Sequence, residues 1–330
     1  MRPLYFLVPG VSEKFSSGGL FAEINAYELA AKLQTAHLVT YREQSADHLF
    51  LPEVLEKTEP NSAIFVISWG FDIPHLIKTL RSHHVIYHAH STGYNFKIPS
   101  SIPILTVSRN SMGYWGDKAP NNLIFHLPNQ IAPIFNNRNL ERDIDVLVQK
   151  RKTSSYVLNQ LIPELQKSCR VKVLDHFVPD LSEVFNRSKI YIYDSAEYWG
   201  NNAVSEGFGL PPLEAIACGC EIFSSVNGAL ADYLDPGFNC KKISTYNVKY
   251  DGDRILKALE NFSVSSENSD LVNHYREAAI VPRLETILKE VNHFFDYKEI
   301  SPPTITTHRK NQFLIQLKLE LRKLRAKFRT

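Results

Sequence analysis

A chain of 330 residues with 44% hydrophobic and 11% aromatic residues can bury more than one core, so two domains are expected. The formal net charge of +2 argues against a nucleic-acid binder, which would spread basic residues over its folded body. Here residues 304–330 hold eight Lys/Arg against the single acid Glu320, about +7, which leaves the remainder at about −5.

Apolar runs then alternate with helical stretches. A short strand, LYFLVP, ends in Pro9-Gly10, and the opening lacks the long apolar core and cleavage site of a secretion signal, so a cytoplasmic protein is expected. The helical FAEINAYELAAKLQ follows, then strand-like AHLVTY, AIFVIS, VIYHAH and ILTVS. A polar stretch, NNRNLERD, reads as a linker, and a second series begins with IDVLVQ, VKVLDHF, KIYIYDS and EIFSS. This rhythm predicts an α/β fold of two consecutive Rossmann-like domains facing a cleft, over 1–135 and 136–285, with 286–330 as a crossover helix and a basic tail. No run of about 18 apolar residues is present to form a membrane-spanning helix. Cys169, Cys218, Cys220 and Cys240 show no CxxC pairing and read as reduced structural thiols.

The most informative stretch is Glu206-Gly-Phe-Gly-Leu-Pro-Pro-Leu-Glu214-Ala-Ile-Ala-Cys-Gly. Gly207 and Gly209 allow close backbone approach to a ligand, and Pro211 and Pro212 suit a helix's first turn, whose unpaired N–H groups hold anions or hydroxyls. Two carboxylates eight residues apart bracket that junction. The string resembles the retaining GT-B glycosyltransferases of family 4 (glycosyl transferases group 1), whose hallmark is two glutamates separated by seven residues around a GFGLP core. The resemblance implies that Glu206 meets the donor sugar near its reacting centre, that the backbone of Phe208, Gly209 and Leu210 binds sugar hydroxyls, and that Glu214 accepts from the ribose hydroxyls.

Other segments are similar to the same family, in the same order. Gly18-Gly19 after the first strand matches its glycine loop over the donor phosphates; read alone, it is a turn. His90-Ser-Thr-Gly93 is similar to the family's HSLG segment, which gives His90 a place facing the donor sugar; the alternative is a hydrogen-bonded core histidine. Leu127-Pro-Asn129 is similar to the PNG signature, with Gln130 in place of Gly. Arg151 and Lys152, after IDVLVQ, are the candidate clamp on the departing diphosphate, against the alternative of a solvated basic turn. The loop holding Phe177 and Val178 resembles the one that meets the base, and Ser195 stands at a family Pro-Ser position. Tyr198, Trp199, Asn201 and Asn202 form an added stretch that either lines the pocket or decorates the surface.

The implied function is retaining transfer of a hexose, UDP-glucose being the leading donor, to a glycan or lipid-linked hydroxyl in polysaccharide biosynthesis. No metal or other cofactor is expected: His88 and His90 share one strand face, but the sequence shows no third ligand for an open site. Asp251-Gly-Asp253 reads as a helix cap. A catalytically silent nucleotide-sugar or glycan binder is the alternative, and a dinucleotide oxidoreductase lacks its GxGxxG. In the tail, Leu314, Leu317, Leu321, Leu324 and Phe328 recur at helical spacing with Lys318, Arg322, Arg325 and Arg329 one position later. This basic amphipathic helix either packs on the N-terminal domain or lies on an anionic membrane surface, which would make the protein peripheral at the inner face of the membrane.

Overall fold

The computed structural model describes residues 1–176, 178–243, 246–264 and 269–301, together with Leu317 and Leu321. Its first half runs β1 (Leu4–Val8), α1 (Gly18–Ala31), β2 (Ala36–Thr40), β3 (Leu49–Phe50), α2 (Leu51–Lys57), β4 (Ile64–Ile67), α3 (Ile73–Thr79), β5 (His84–Ala89), β6 (Ile104–Thr106), α4 (Arg109–Lys118) and β7 (Ile124–His126). These strands form a parallel sheet in the order β3-β2-β1-β4-β5-β6-β7. The second half runs β8 (Ile144–Gln149), α5 (Ile162–Leu165), β9 (Val171–Leu174), α6 (Leu181–Asn186), β10 (Ser188–Tyr193), α7 (Ala196–Asn201), α8 (Leu210–Ala217), β11 (Glu221–Ser224), β12 (Lys241–Lys242), α9 (Val248–Glu260), α10 (Ser269–Asn273) and α11 (Glu277–Ile300). Its sheet is also parallel, ordered β12-β11-β10-β8-β9.

The apolar runs explain the layering. All residues of β4 and β5 are buried, as a sheet covered on both faces requires. In the second sheet the two-residue period divides the core. Leu147, Tyr191, Tyr193 and Ile222 pack with Phe185 and Leu213 on one face, while Val146, Val148, Ile190 and Ile192 pack with Leu161 and Ile255 on the other.

Helix starts follow their caps. The Ser17 side chain accepts from the Leu20 N–H at 3.2 Å to start α1, and Ser108 and Ser111 form a capping box on α4. The expectation that Asp251 caps a helix is corrected: Asn247 caps α9 through the Tyr250 N–H, and Asp251 lies buried in the first turn, accepting from the Tyr156 hydroxyl at 2.8 Å.

In each sheet the strand order reverses beside the first strand, between β1 and β4 and between β8 and β10. Open parallel sheets bind ligands beyond the carboxyl ends of their strands at such reversals. The topology therefore singles out the segments after β1, β8 and β10, which carry Gly18-Gly19, Arg151-Lys152 and Ser195.

Met1–Asn292 forms one compact unit that holds both sheets, and His293–Thr330 forms a second. Within the first unit, α11 returns the chain to the first sheet. The Arg2 N–H donates to the Asn292 side chain at 3.0 Å, Lys32 pairs with Glu277 at 2.5 Å, and Arg283 donates to the His126 carbonyl at 3.4 Å. The basic stripe expected over 304–330 lies outside the described residues apart from Leu317 and Leu321, both helical and exposed.

Candidate functional site

The segment from Ser205 to Gly209 leads into α8 and meets the loop after β5. A Cβ on Gly207 would land on the His90 carbonyl oxygen, so only glycine fits. Around that contact the Ser91 hydroxyl donates to the Ser205 carbonyl at 2.7 Å, and the Thr92 and Ser205 hydroxyls share a hydrogen bond of 2.5 Å. Gly209 adopts φ +81° at the start of α8, with Pro211 and Pro212 in the first turn. Phe208 turns into the core against Tyr233 and Tyr275. The Gly209 carbonyl already accepts from the Tyr233 hydroxyl, leaving N–H groups at the helix start as the donors this junction offers.

Glu206 is buried, and its carboxylate gathers donors. Oε2 accepts from the Tyr193 hydroxyl at 2.5 Å, the Trp199 indole N–H at 2.6 Å and, more loosely, the Ser195 hydroxyl at 3.4 Å. The Lys152 ammonium stands 3.6 Å from Oε1. Burial and the neighbouring Glu206 drive the Tyr193 phenol well above its ordinary range, so Tyr193 remains a donor. Lys152 takes φ +69°, a left-handed conformation costing a non-glycine residue on the order of 1 kcal/mol, and its ammonium lies 4.2 Å above the Trp199 ring. Burial lowers the Lys152 pKa, and the Glu206 carboxylate opposes that shift. Lys152 therefore enters the site, whereas its neighbour Arg151 is exposed. Ser195 is buried and accepts from the Asn227 amide at 3.0 Å.

Glu214 lies on the second turn of α8, half-buried, and its side chain accepts no hydrogen bond from any described residue. Burial pushes its carboxyl up to about 8. A carboxylate with open acceptor sites one turn beyond a helix start suits adjacent hydroxyl donors. Val178 packs half-buried against the core on this face of the sheet, and Phe177 lies outside the described residues.

On the first sheet, His90 follows β5 and His88 ends within it. Both imidazoles donate to one oxygen of Glu23 on α1, His88 through Nδ1 at 2.7 Å and His90 through Nε2 at 2.8 Å. Burial alone would raise the Glu23 carboxyl, but the charge and hydrogen bonds of the two histidines overcome it and hold the group at about 2. Burial and the adjacent His88 lower the His90 pKa, the Glu23 carboxylate opposes that shift, and the His90 Nε2–H is committed to Glu23. Gly18 and Gly19 open α1, both exposed and with free space around them, while the Leu20 N–H is already taken by Ser17.

Glu23 corrects the expectation that the histidine pair has no third ligand-type partner. Its signal was present in the sequence as an acid on the apolar face formed by Leu20, Ala26 and Leu29, where burial demands partners. The distances are those of hydrogen bonds, shorter than the roughly 3.3 Å between ligand atoms around tetrahedral zinc. Tyr193 and Trp199 are the other site residues that pattern reading missed in this role. Tyr193 sits in an apolar strand where its hydroxyl carries no pattern, and Trp199 lies in the added stretch.

Residues 137–279 match the family described as Glycosyl transferases group 1, a span covering the second sheet. No curated protein matches the chain in sequence. Among solved structures, the pneumococcal O-GlcNAc transferase GtfA in complex with UDP and GlcNAc is 10% identical with a TM-score of 0.61, over 88% of this chain and 99% of that one. Anabaena Alr3699/HepE in complex with UDP-glucose is 12% identical with a TM-score of 0.64, over 88% of this chain and 100% of that one. AviGT4, a glycosyltransferase involved in avilamycin A biosynthesis, is 11% identical with a TM-score of 0.60, over 90% and 98%. At such identities the likeness shows the architecture, and it is GT-B: two Rossmann-like halves, each with its own parallel sheet.

Proposed function

We propose that the chain is a retaining, metal-independent glycosyltransferase that moves a hexose, with glucose the first candidate, from a UDP-sugar to a hydroxyl of a glycan or lipid-linked acceptor in polysaccharide biosynthesis. The observation that carries this reading is the Glu206–Glu214 junction at the start of α8, with Lys152 beside it, at the β8/β10 reversal. Support comes from the family match over that half and from similar structures that hold UDP, glucose or UDP-glucose.

In this reading residues 1–135 form the acceptor side and 136–285 bind the donor. Glu214 takes the ribose hydroxyls, Val178 and Phe177 border the base, and Ser195 with the N–H groups of Phe208, Gly209 and Leu210 meets the sugar and diphosphate. Transfer with retention proceeds by front-side attack: the acceptor oxygen bonds to the anomeric carbon on the face the diphosphate leaves, and its proton passes to a departing phosphate oxygen. The protein's task is then to orient the substrates and stabilise charge. Lys152, Arg151 and the starts of α1 (Gly18, Gly19) and α8 meet the growing negative charge on the diphosphate. Glu206 supports positive charge at the sugar ring, and His90 is a partner for a sugar hydroxyl. Residues 304–330 would attach the enzyme to an anionic membrane where lipid-linked acceptors reside.

A panel of nucleotide sugars incubated with the purified protein tests the reading by released nucleotide. Slow UDP release from UDP-glucose or another UDP-hexose is expected. Release from none of the panel would reject an active transferase, and UDP binding without release would favour a silent nucleotide-sugar binder.

A further inference from the structure

The segment between β10 and Glu206 folds as α7, which is tied down at its start. Glu197 accepts from the Ser155 N–H at 3.0 Å and from its hydroxyl at 2.9 Å, and the Ala196 N–H donates to the Ser225 hydroxyl at 3.3 Å. The helix thereby delivers the Trp199 indole to Glu206 Oε2, which also receives Tyr193. With Oε2 occupied, Oε1 is the oxygen left for a ligand hydroxyl, and Lys152 stands in front of it.

Lys152 is held there by weak, replaceable contacts. Its 3.6 Å approach to Oε1 is longer than a hydrogen bond, and its other supports are the faces of the Trp199 ring at 4.2 Å and, more distantly, the Tyr198 ring at 5.9 Å. The ammonium sits on a flexible four-carbon stem, and the side chain as a whole is a quarter exposed, which leaves it room to swing. A diphosphate offers several charged acceptors against this one loose carboxylate contact, and charge-assisted bonds to phosphate are the stronger kind.

We infer that Trp199 is a positioning residue with two tasks: its indole N–H fixes the Glu206 carboxylate, and its ring is the resting seat of Lys152, which a nucleoside diphosphate draws away. Departure of the ammonium uncovers Oε1, so the carboxylate becomes available to the sugar only when the diphosphate is in place. The inference rests on the UDP-sugar reading above and adds the order in which its groups are engaged.

Indole emission reads this directly, because an ammonium stacked on the ring quenches it by proton transfer. The experiment titrates UDP into wild type, Lys152→Met and Trp199→Phe, exciting at the red edge of indole absorption, with calorimetry on the same samples. In wild type, emission is expected to rise with the same saturation midpoint that calorimetry gives. Lys152→Met is expected to start at the level of the UDP-bound wild type and to respond little. Trp199→Phe is expected to bind UDP without an emission change from Trp69 or Trp115, and to lose at least tenfold in kcat for the UDP-sugar with KM moved less than threefold. UDP binding by calorimetry with unchanged wild-type emission, or an equal rise in Lys152→Met, would overturn the inference and leave the nucleotide reading standing. Absence of UDP binding in wild type would overturn both.

Discussion

Replacing Glu214 by Gln should stabilise the protein while weakening its hold on the nucleotide. The carboxyl is raised from 4.5 to about 8 because burial on α8 disfavours its charged form and no described residue donates to it. A carboxyl with a raised folded-state pKa is ionised first in the unfolded chain, so it adds nothing below pH 4.5. It destabilises the fold increasingly up to about pH 8, and the cost is constant beyond. At about 1.36 kcal/mol per pKa unit the cost is about 3 kcal/mol at pH 7 and about 5 kcal/mol above pH 8. Thermal melts of wild type and Glu214→Gln should coincide near pH 4 and diverge as pH rises, the variant melting several degrees higher at pH 7. Above pH 8, where the wild-type carboxyl is ionised, the same substitution removes charged hydrogen bonds to the ribose worth roughly 1.5 to 3 kcal/mol, which raises the donor KM about ten- to hundredfold. Nucleotide affinity in wild type should rise with pH toward 8, with proton release measurable by calorimetry in buffers of different ionisation enthalpy. A stability difference independent of pH, or a variant less stable at pH 7, would refute the reasoning.

Lys152→Ala should lower kcat on the order of a hundredfold, since diphosphate charge grows as the glycosidic bond breaks, and Arg151→Ala should cost less because its side chain stays exposed. Steady-state kinetics on both variants decide between them, and a larger loss at Arg151 would reverse the assignment. Activity should persist in excess EDTA; loss on chelation with rescue by a divalent ion would make the Glu23–His88–His90 cluster a metal site. The full chain should sediment with anionic but not neutral vesicles and be released by moderate salt, while deletion of 304–330 abolishes binding and leaves donor hydrolysis intact. Failure of the truncated protein to fold would place that helix in the core.

The parallel sheets were legible because their strands are apolar runs: IFVI in β4 and KIYIY in β10 have few other places to go than a doubly covered sheet. The α8 junction was legible because its Gly-Phe-Gly-Leu-Pro-Pro string constrains backbone and capping at once. Glu23 and Trp199 were not, because each matters through a tertiary partner far along the chain or through an added helix. The hydrogen bond from His88 to Glu23 spans 65 residues, and no local period carries it. Lys152 and Arg151 are neighbours of one charge, and the left-handed backbone at Lys152 distinguishes them, a choice their composition does not encode.

The most direct measurement is proton NMR of the first sugar released from UDP-α-glucose by the wild-type protein, followed before mutarotation. The α-anomer should appear first, and EDTA should leave its rate unchanged. Initial formation of the β-anomer would contradict front-side transfer.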